Sequence, residues 1–297
     1  MHRIDTSTAQ KDKFGAGKNG FTGGNPQTGE LPTALDANFF DSVQEEISAV
    51  IEASGLQLSK AKNDQLLSAI NLLVSSGRLM NIRVFTASGN YTPSLSVKRI
   101  KVTVIGGGGG GGGSAATDAN TRSCGGGGGA GNTSVSMLDP SSLTLPVAIN
   151  VGTAGTTGAA GGSSGGNGGQ GGTTTFGTYL TASGGFGGGG GSLASDSLTA
   201  VTANGGTSAA PTLGNLLNQK GSAGLQGIVG SNAIVSGAGG ASSLGGGGNP
   251  VAVGSSTAGE NGIYGGGGSG AISIKSSSIG RPGGAGGVGV VIIEEYA

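Results

Sequence analysis

Uninterrupted glycine runs dominate the second part of this chain. Residues 106–113 and 125–129 are glycine throughout, 184–191 is broken by Phe186 alone, and shorter runs fall at 245–248 and 265–268. Such a run has no side chains with which to build a core, and it loses more conformational freedom on ordering than any other sequence. Two states are open to it. It can stay a flexible linker. Or it can form a packed bundle of extended left-handed helices with three residues per turn, each N–H and C=O bonding a neighbouring helix. Three features favour order. The runs alternate with apolar segments rich in Val, Ile and Leu. Charge, which keeps unfolded chains in solution, is scarce. The chain also closes on Val290-Val-Ile-Ile-Glu-Glu-Tyr296, a strand pattern. A collagen helix is excluded by the absence of a strict Gly-X-Y period and by only 8 prolines.

The composition changes abruptly after Ile105. Residues 102–297 carry 61 of the 70 glycines and only 10 of the 30 charged residues. The first part reads as an ordinary sequence. Residues 1–35 are punctuated by Gly and Pro and are expected to be irregular. Over 36–80 a helical hairpin is expected. Asp36 is placed to cap a first helix with Phe39, Phe40, Val43, Ile47, Val50 and Ile51 on one face, ended by Gly55. Ser59 is read as the cap of a second helix carrying Leu66, Leu67, Ile70, Leu73 and Val74. Two such helices leave too much apolar stripe for an isolated unit, so burial against other copies or other segments is expected. Residues 81–105 read as strands, with a Gly89-Asn90 turn and an alternating Ile100, Val102, Val104 face. Within 106–297, strands are expected at 147–151, 173–180 and 288–293, and surface loops at 114–123, 193–203 and 249–261. The fold class is therefore mixed: a short α-helical hairpin, a small β region, and a glycine-rich domain of polyglycine II-like helices with flanking strands.

Composition argues against most chemistry. One histidine (His2) and one cysteine (Cys124) leave no ligand set for zinc, no disulfide and no base for a serine or cysteine nucleophile. Zero net charge gives no footprint for nucleic acid. No apolar run approaches the roughly 20 residues of a membrane span. Gly15-Ala-Gly-Lys-Asn-Gly20 matches G-x-G-x-x-G, but no strand precedes it. Lys18 suggests a phosphate loop, yet Asp12 and Asn19 stand where Gly and Ser or Thr belong. Asp118, Asp139, Asp196 and Glu260 are widely separated carboxylates, and the glycosylation triplets at Asn90 and Asn132 lack a secretory signal. No catalytic residue, cofactor or metal is expected.

Three segments carry a resemblance. Met1-His-Arg-Ile-Asp-Thr6 with Ala9-Gln-Lys-Asp-Lys-Phe-Gly-Ala-Gly-Lys-Asn-Gly-Phe-Thr22, together with Gln44-Glu-Glu-Ile47, resembles the start of tail fibre proteins of enterobacterial phages and prophages. Phe85-Thr-Ala-Ser-Gly-Asn-Tyr-Thr-Pro93 and the strand into the first glycine run resemble the opening of that family's glycine-rich domain. Residues 283–296 resemble its closing strand. The resemblance implies attachment to the tail or baseplate through the N-terminal region, polyglycine-type helices in the tip, a homotrimeric fibre and a place on the virion. It also implies recognition of a bacterial outer-surface receptor, an outer-membrane protein or lipopolysaccharide, by loops of the tip.

Binding anchors in such a tip should be aromatic, cationic or exposed apolar residues. Phe186, Tyr264, Arg122, Leu216, Ile228 and Ile274 are the candidates; Phe176, Tyr179 and Tyr296 are expected to pack. Two other readings of the whole chain remain: a free ice- or surface-binding glycine-rich protein, and a purely structural fibre segment.

Overall fold

The computed structural model describes residues 2–297 except 76, 198, 209–212, 232 and 253. The chain divides into two compact units, Met1–Arg78 and Leu79–Ala297. Among the described residues no helix is long and apolar enough to cross a membrane.

In the first unit, turns and the short bridges Gln10–Gly20 and Asn25–Glu30 lead to helix α1 (Ala37–Ala53). The Asp36 carboxylate accepts the Asn38 N–H and so caps α1, as the sequence predicts, and Gly55 follows the helix at φ +81. Helix α2 spans Gln65–Ser75, starting later than Ser59. The Gln65 side chain reaches back to accept the Ser59 N–H at 2.7 Å, holding the intervening residues as a turn. The Asp64 carbonyl, not that of Ser59, accepts the first helical bond, from Ser68 N–H. Much of the apolar stripe of α2 remains exposed, including Leu67, Ile70, Leu73 and Val74.

The second unit is a set of small β-sheets joined by glycine segments. Its strands are β1 (Leu79–Phe85), β2 (Gly89–Tyr91), β3 (Arg99–Ile105), β4 (Thr121–Cys124), β5 (Thr133–Leu138), β6 (Val147–Asn150), β7 (Thr174–Phe176) and β8 (Leu180–Ala182). They continue as β9 (Leu193–Ser195), β10 (Ala200–Ala203), β11 (Leu217–Gln219), β12 (Gly227–Gly230), β13 (Ala233–Val235), β14 (Ile272–Ser273) and β15 (Val290–Tyr296). At the end where this unit's chain begins and finishes, called proximal here, a five-stranded sheet β1-β15-β3-β5-β11 lies beside a four-stranded sheet β2-β6-β7-β8. Strict alternation turns Ile100, Val102 and Val104 of β3 and Val291 and Ile293 of β15 inward. There they meet Tyr91, Val147, Ile149, Phe176 and Leu180, all buried.

Two local expectations are corrected. Gly89 and Asn90 are not a turn: they pair with Ile149 and Ala148, and the bend falls at residues 86–88. Burial of the Tyr91 ring in the core requires that strand. The apolar stretch 173–180 is a hairpin rather than one strand, turning at Gly177, whose φ is +51.

Beyond β3 the bonding changes character. In 106–114, successive backbone N–H groups point to three neighbours in rotation. Gly106, Gly109 and Gly112 donate to Asn132, Gly129 and Gly126; Gly107, Gly110 and Gly113 to Gly172, Gly169 and Gly166; Gly108, Gly111 and Ser114 to Gly287, Gly284 and Arg281. The carbonyls do the same with other segments, accepting from Gly155, Gly158 and Gly161, from Gly185, Gly188 and Gly191, and from Gly268 and Ala271. A β-strand alternates between two neighbours; this segment rotates through three donor and three acceptor partners and is enclosed on all sides. Residues 125–132 are enclosed similarly, donating to 265–271, 183–189 and 222–225. The bonds satisfy backbone groups that are fully buried.

Enclosure is permitted by the missing side chains. A Cβ on Gly108, Gly110, Gly111 or Gly112 would lie under 3.0 Å from a backbone carbonyl oxygen, respectively of Gly266, Thr156, Ser269 and Gly189. A backbone wall cannot swing aside as a side-chain tip can. At Gly246, by contrast, nothing lies within 4 Å.

The closing strand adds one buried charge. Period two puts Glu295 on the core face in line with Val291 and Ile293, and it is fully buried. The Tyr91 hydroxyl donates to it at 2.9 Å, the Ser94 hydroxyl at 2.7 Å and the Ser94 N–H at 3.2 Å, with Arg83 Nε 3.5 Å away. Burial alone would raise its pKa; the donors from Ser94 and Tyr91 and the Arg83 charge outweigh that and hold it below the ordinary glutamate value.

Two outcomes follow from this architecture. Gly112→Ala should lower the melting temperature by about 10 °C, on the order of 3 kcal/mol of overpacking, while Gly246→Ala shifts it by less than about 2 °C. Calorimetry of both variants checks this, and equal small shifts contradict it. Because the folded pKa of Glu295 is depressed, its contribution is complete above about pH 4.3 and is lost as pH falls through the folded value. Acid melts should therefore show the wild type losing stability below about pH 4, and Glu295→Gln, already weaker at neutral pH, losing less over the same interval.

Candidate binding surface

The glycine segments carry the chain repeatedly between the proximal sheets and a second, distal end. Among the described residues, the distal ones lie within 114–124, 162–164, 192–203, 227–236, 249–258 and 272–280. The sequence reads 114–123 and 193–203 as loops. The structure instead forms sheets there, β14-β4-β9 and β10-β12-β13. Their shared apolar centre is Cys124, Val229, Ile234 and Ile272, with Ala194, Val251 and Ile274 packed around it. Short strands suffice because a glycine segment leads into one end of each and holds it in place.

Cys124 lies inside this centre, where burial pushes its thiol up to about 11. The Thr202 hydroxyl donates to the Cys124 carbonyl at 2.7 Å. A buried, protonated thiol is a small packing group rather than a nucleophile.

The outer face of β10-β12-β13 carries a row of β-branched residues. Register places Val201 opposite Ile228 and Ile228 opposite Val235. They are 53%, 40% and 38% exposed, whereas Val229 and Ile234 on the other face are buried. Sequence reading singles out Ile228 within the apolar segment 225–235, but not Val201 or the alignment of the three, because the register is not visible without the sheet.

The adjoining sheet carries charge. Asp196, just after β9, forms ion pairs with both Arg122 of β4 and Lys275, beyond β14. The hydrogen bond from Lys275 holds the Asp196 carboxyl below its ordinary range against the opposing effect of burial, with the Arg122 hydrogen bond and both positive charges adding to it. The Asp196 N–H also donates to the Asn120 carbonyl at 2.9 Å.

The six residues chosen from sequence do not converge. Arg122, Ile228 and Ile274 are distal. Arg122 is committed to Asp196, with a side chain only 11% exposed, and Ile274 packs on the distal apolar centre. Leu216 is exposed at the proximal end, its N–H donating to Val135. Tyr264 is half exposed at a proximal turn, with φ +42. Phe186 lies along the glycine array: its backbone bonds Gly129 and Thr207, and its ring is partly exposed. Phe176 is buried, and Tyr179 packs against the same core.

In the first unit, His2, Asp5 and Asp36 bring ligand atoms within 4.8 Å of one another. Local packing accounts for the arrangement, since Asp36 caps α1 and the His2 ring stands edge-on to Phe39.

Comparison with known proteins shows likeness to a relative and to a family. A protein of Escherichia coli K12, the uncharacterized protein StfP, is 64% identical over 76 residues, which is 26% of this chain and 36% of that protein. The match thus spans about a third of the relative's length. The family described as the glycine-rich domain matches residues 86–296, from the bend after β1 through the closing strand. That span takes in every strand of the second unit except β1 and every glycine segment between them, and the chain belongs to the glycine-rich domain family.

Proposed function

We propose that the chain is a non-enzymatic tail fibre protein of a phage or prophage, attached to the tail or baseplate through its N-terminal region and recognising a bacterial outer surface through the distal end of its glycine-rich domain. The glycine segments act as polyglycine II-type helices, a reading supported by the three-residue rotation of their hydrogen bonds. The N-terminal motif at Ala9–Thr22 and the 64% identity to StfP support the virion assignment. One observation carries the binding role: the exposed row Val201, Ile228 and Val235 on a surface whose supporting segments are fixed by backbone bonds. A surface held this rigidly loses little entropy on contact, and an apolar row suits an outer-membrane protein better than a charged sugar. The unburied stripe of α2 suits a homotrimeric assembly, in which several tips turn weak contacts into firm attachment.

Adsorption tests this reading. Labelled full chain should bind a subset of Gram-negative strains, residues 1–78 alone should bind none, and Ile228→Asp should weaken binding about tenfold, roughly 1.4 kcal/mol. If the full chain binds no strain, the adhesin role fails and a structural fibre segment remains.

A further inference from the structure

The distal end holds a charge cluster that the apolar row does not use. Arg122, Asp196 and Lys275 sit on three separate distal segments, 114–124, 192–203 and 272–280, which are far apart in sequence and each anchored in different glycine segments. The last two meet the first as paired strands, β9 and β14 on either side of β4, and through hydrogen bonds beyond the strands. Asp196 N–H donates to Asn120 O at 2.9 Å, Ser276 N–H to Asp118 O at 2.8 Å, and Ser277 N–H to the Thr117 hydroxyl at 3.0 Å. These bonds tie 192–203 to 114–124, and 272–280 to 114–124. The Asp196 carboxylate adds the closing link: it bonds Arg122 with one oxygen and Lys275 with the other, so that each of the three segments restrains the remaining two. Its side chain is 14% exposed and that of Arg122 is 11%, so this pairing is shielded more than an ordinary surface ion pair. Lys275 lies in a turn that includes Ser276 at φ +54, a conformation that a β-carbon residue adopts only when its surroundings hold it.

We infer that Asp196 is the positioning residue of the distal surface: by engaging Arg122 and Lys275 together it fixes three segments in the single arrangement a receptor meets. This rests on the adhesin reading and adds to it a residue that sets specificity without itself touching the receptor. The pairing of β9 and β14 with β4, the two apolar centres and the glycine array do not depend on this carboxylate, so its loss frees the turns beyond the strands, residues 117–120, 196–197 and 275–277, without unfolding the domain. The freed turns sample many arrangements, and binding then requires selecting the competent one from among them.

The test uses the full chain as wild type, Asp196→Asn and Asp196→Glu, with three readouts. Trypsin cuts after Lys275 only when its turn opens, and Lys220, next to proximal β11, serves as the internal reference site. In Asp196→Asn, cleavage after Lys275 should rise at least about tenfold relative to that after Lys220. Binding to a strain that takes up the wild type should fall at least about tenfold. The melting temperature should stay within about 2 °C. Asp196→Glu, which keeps the charge, should recover most of both losses. Unchanged cleavage in Asp196→Asn overturns the latch. Faster cleavage with undiminished binding overturns the positioning role. A fall in melting temperature beyond about 10 °C also overturns it, because the carboxylate would then support the whole domain. If the wild type binds no strain, the adhesin reading fails, and the cleavage ratio still decides separately whether the latch exists.

Discussion

Backbone meets backbone here where side chains usually meet. Around 106–113 a carbonyl oxygen of a neighbouring segment occupies the place where a Cβ would stand, at residue after residue. Each such approach lets an N–H reach a carbonyl at 2.7–3.0 Å, and each segment spends its donors and acceptors on partners all around it. The glycine composition follows from this geometry. So does the scarcity of charge, since a charged side chain inside the array would have neither room nor a partner. Glycine's large entropy loss is offset by the many hydrogen bonds that buried N–H and C=O groups make in a region that contains little else.

An array of this kind has no apolar centre, and its ends would fray without one. Both ends are closed by ordinary β packing: a larger sandwich around Phe176, Tyr91 and Val102 proximally, and a smaller one around Cys124, Val229 and Ile272 distally. Each end also holds a carboxylate among donors. Glu295 ties β15 to Ser94 and Tyr91, and Asp196 ties three distal segments together. The proximal end joins the chain's beginning and end through β1 and β15, which pair along their length. The distal end offers its outer face to solvent. The stiffness between them is a property of backbone bonding and does not depend on which residues the outer distal face carries.

Elements governed by local patterns were legible in the sequence. The Asp36 cap, the Gly55 stop, the inward face of β3 and the closing strand rest on spacing and on single residues whose preferences are strong. Where several residues compete, local reading failed: Ser59 and Asp64 are both good caps, and only the reach of the Gln65 side chain decides between them. The segments that carry β4, β9 and β10 read as loops in the sequence because their stability comes from the glycine segments flanking them, which no window of a few residues reveals. The same cause scattered the binding candidates. Residue type picked out Phe186, Tyr264 and Leu216, while position in the fold picks out Val201, Ile228 and Val235, brought into one row by register. Arg122 looked like a free cation because Asp196 and Lys275 are remote in sequence.

Amide hydrogen exchange, read residue by residue by NMR on the folded chain, tests the central claim most directly. If the enclosed backbone is what the fold depends on, the amides of Gly109 to Gly112 exchange as slowly as those of Val102 and Ile293 in the proximal core, opening only with the whole domain. Exchange of those glycine amides within minutes, as fast as the exposed distal turn at Asn120, while Val102 and Ile293 stay protected, would contradict the account and return the glycine runs to the status of linkers.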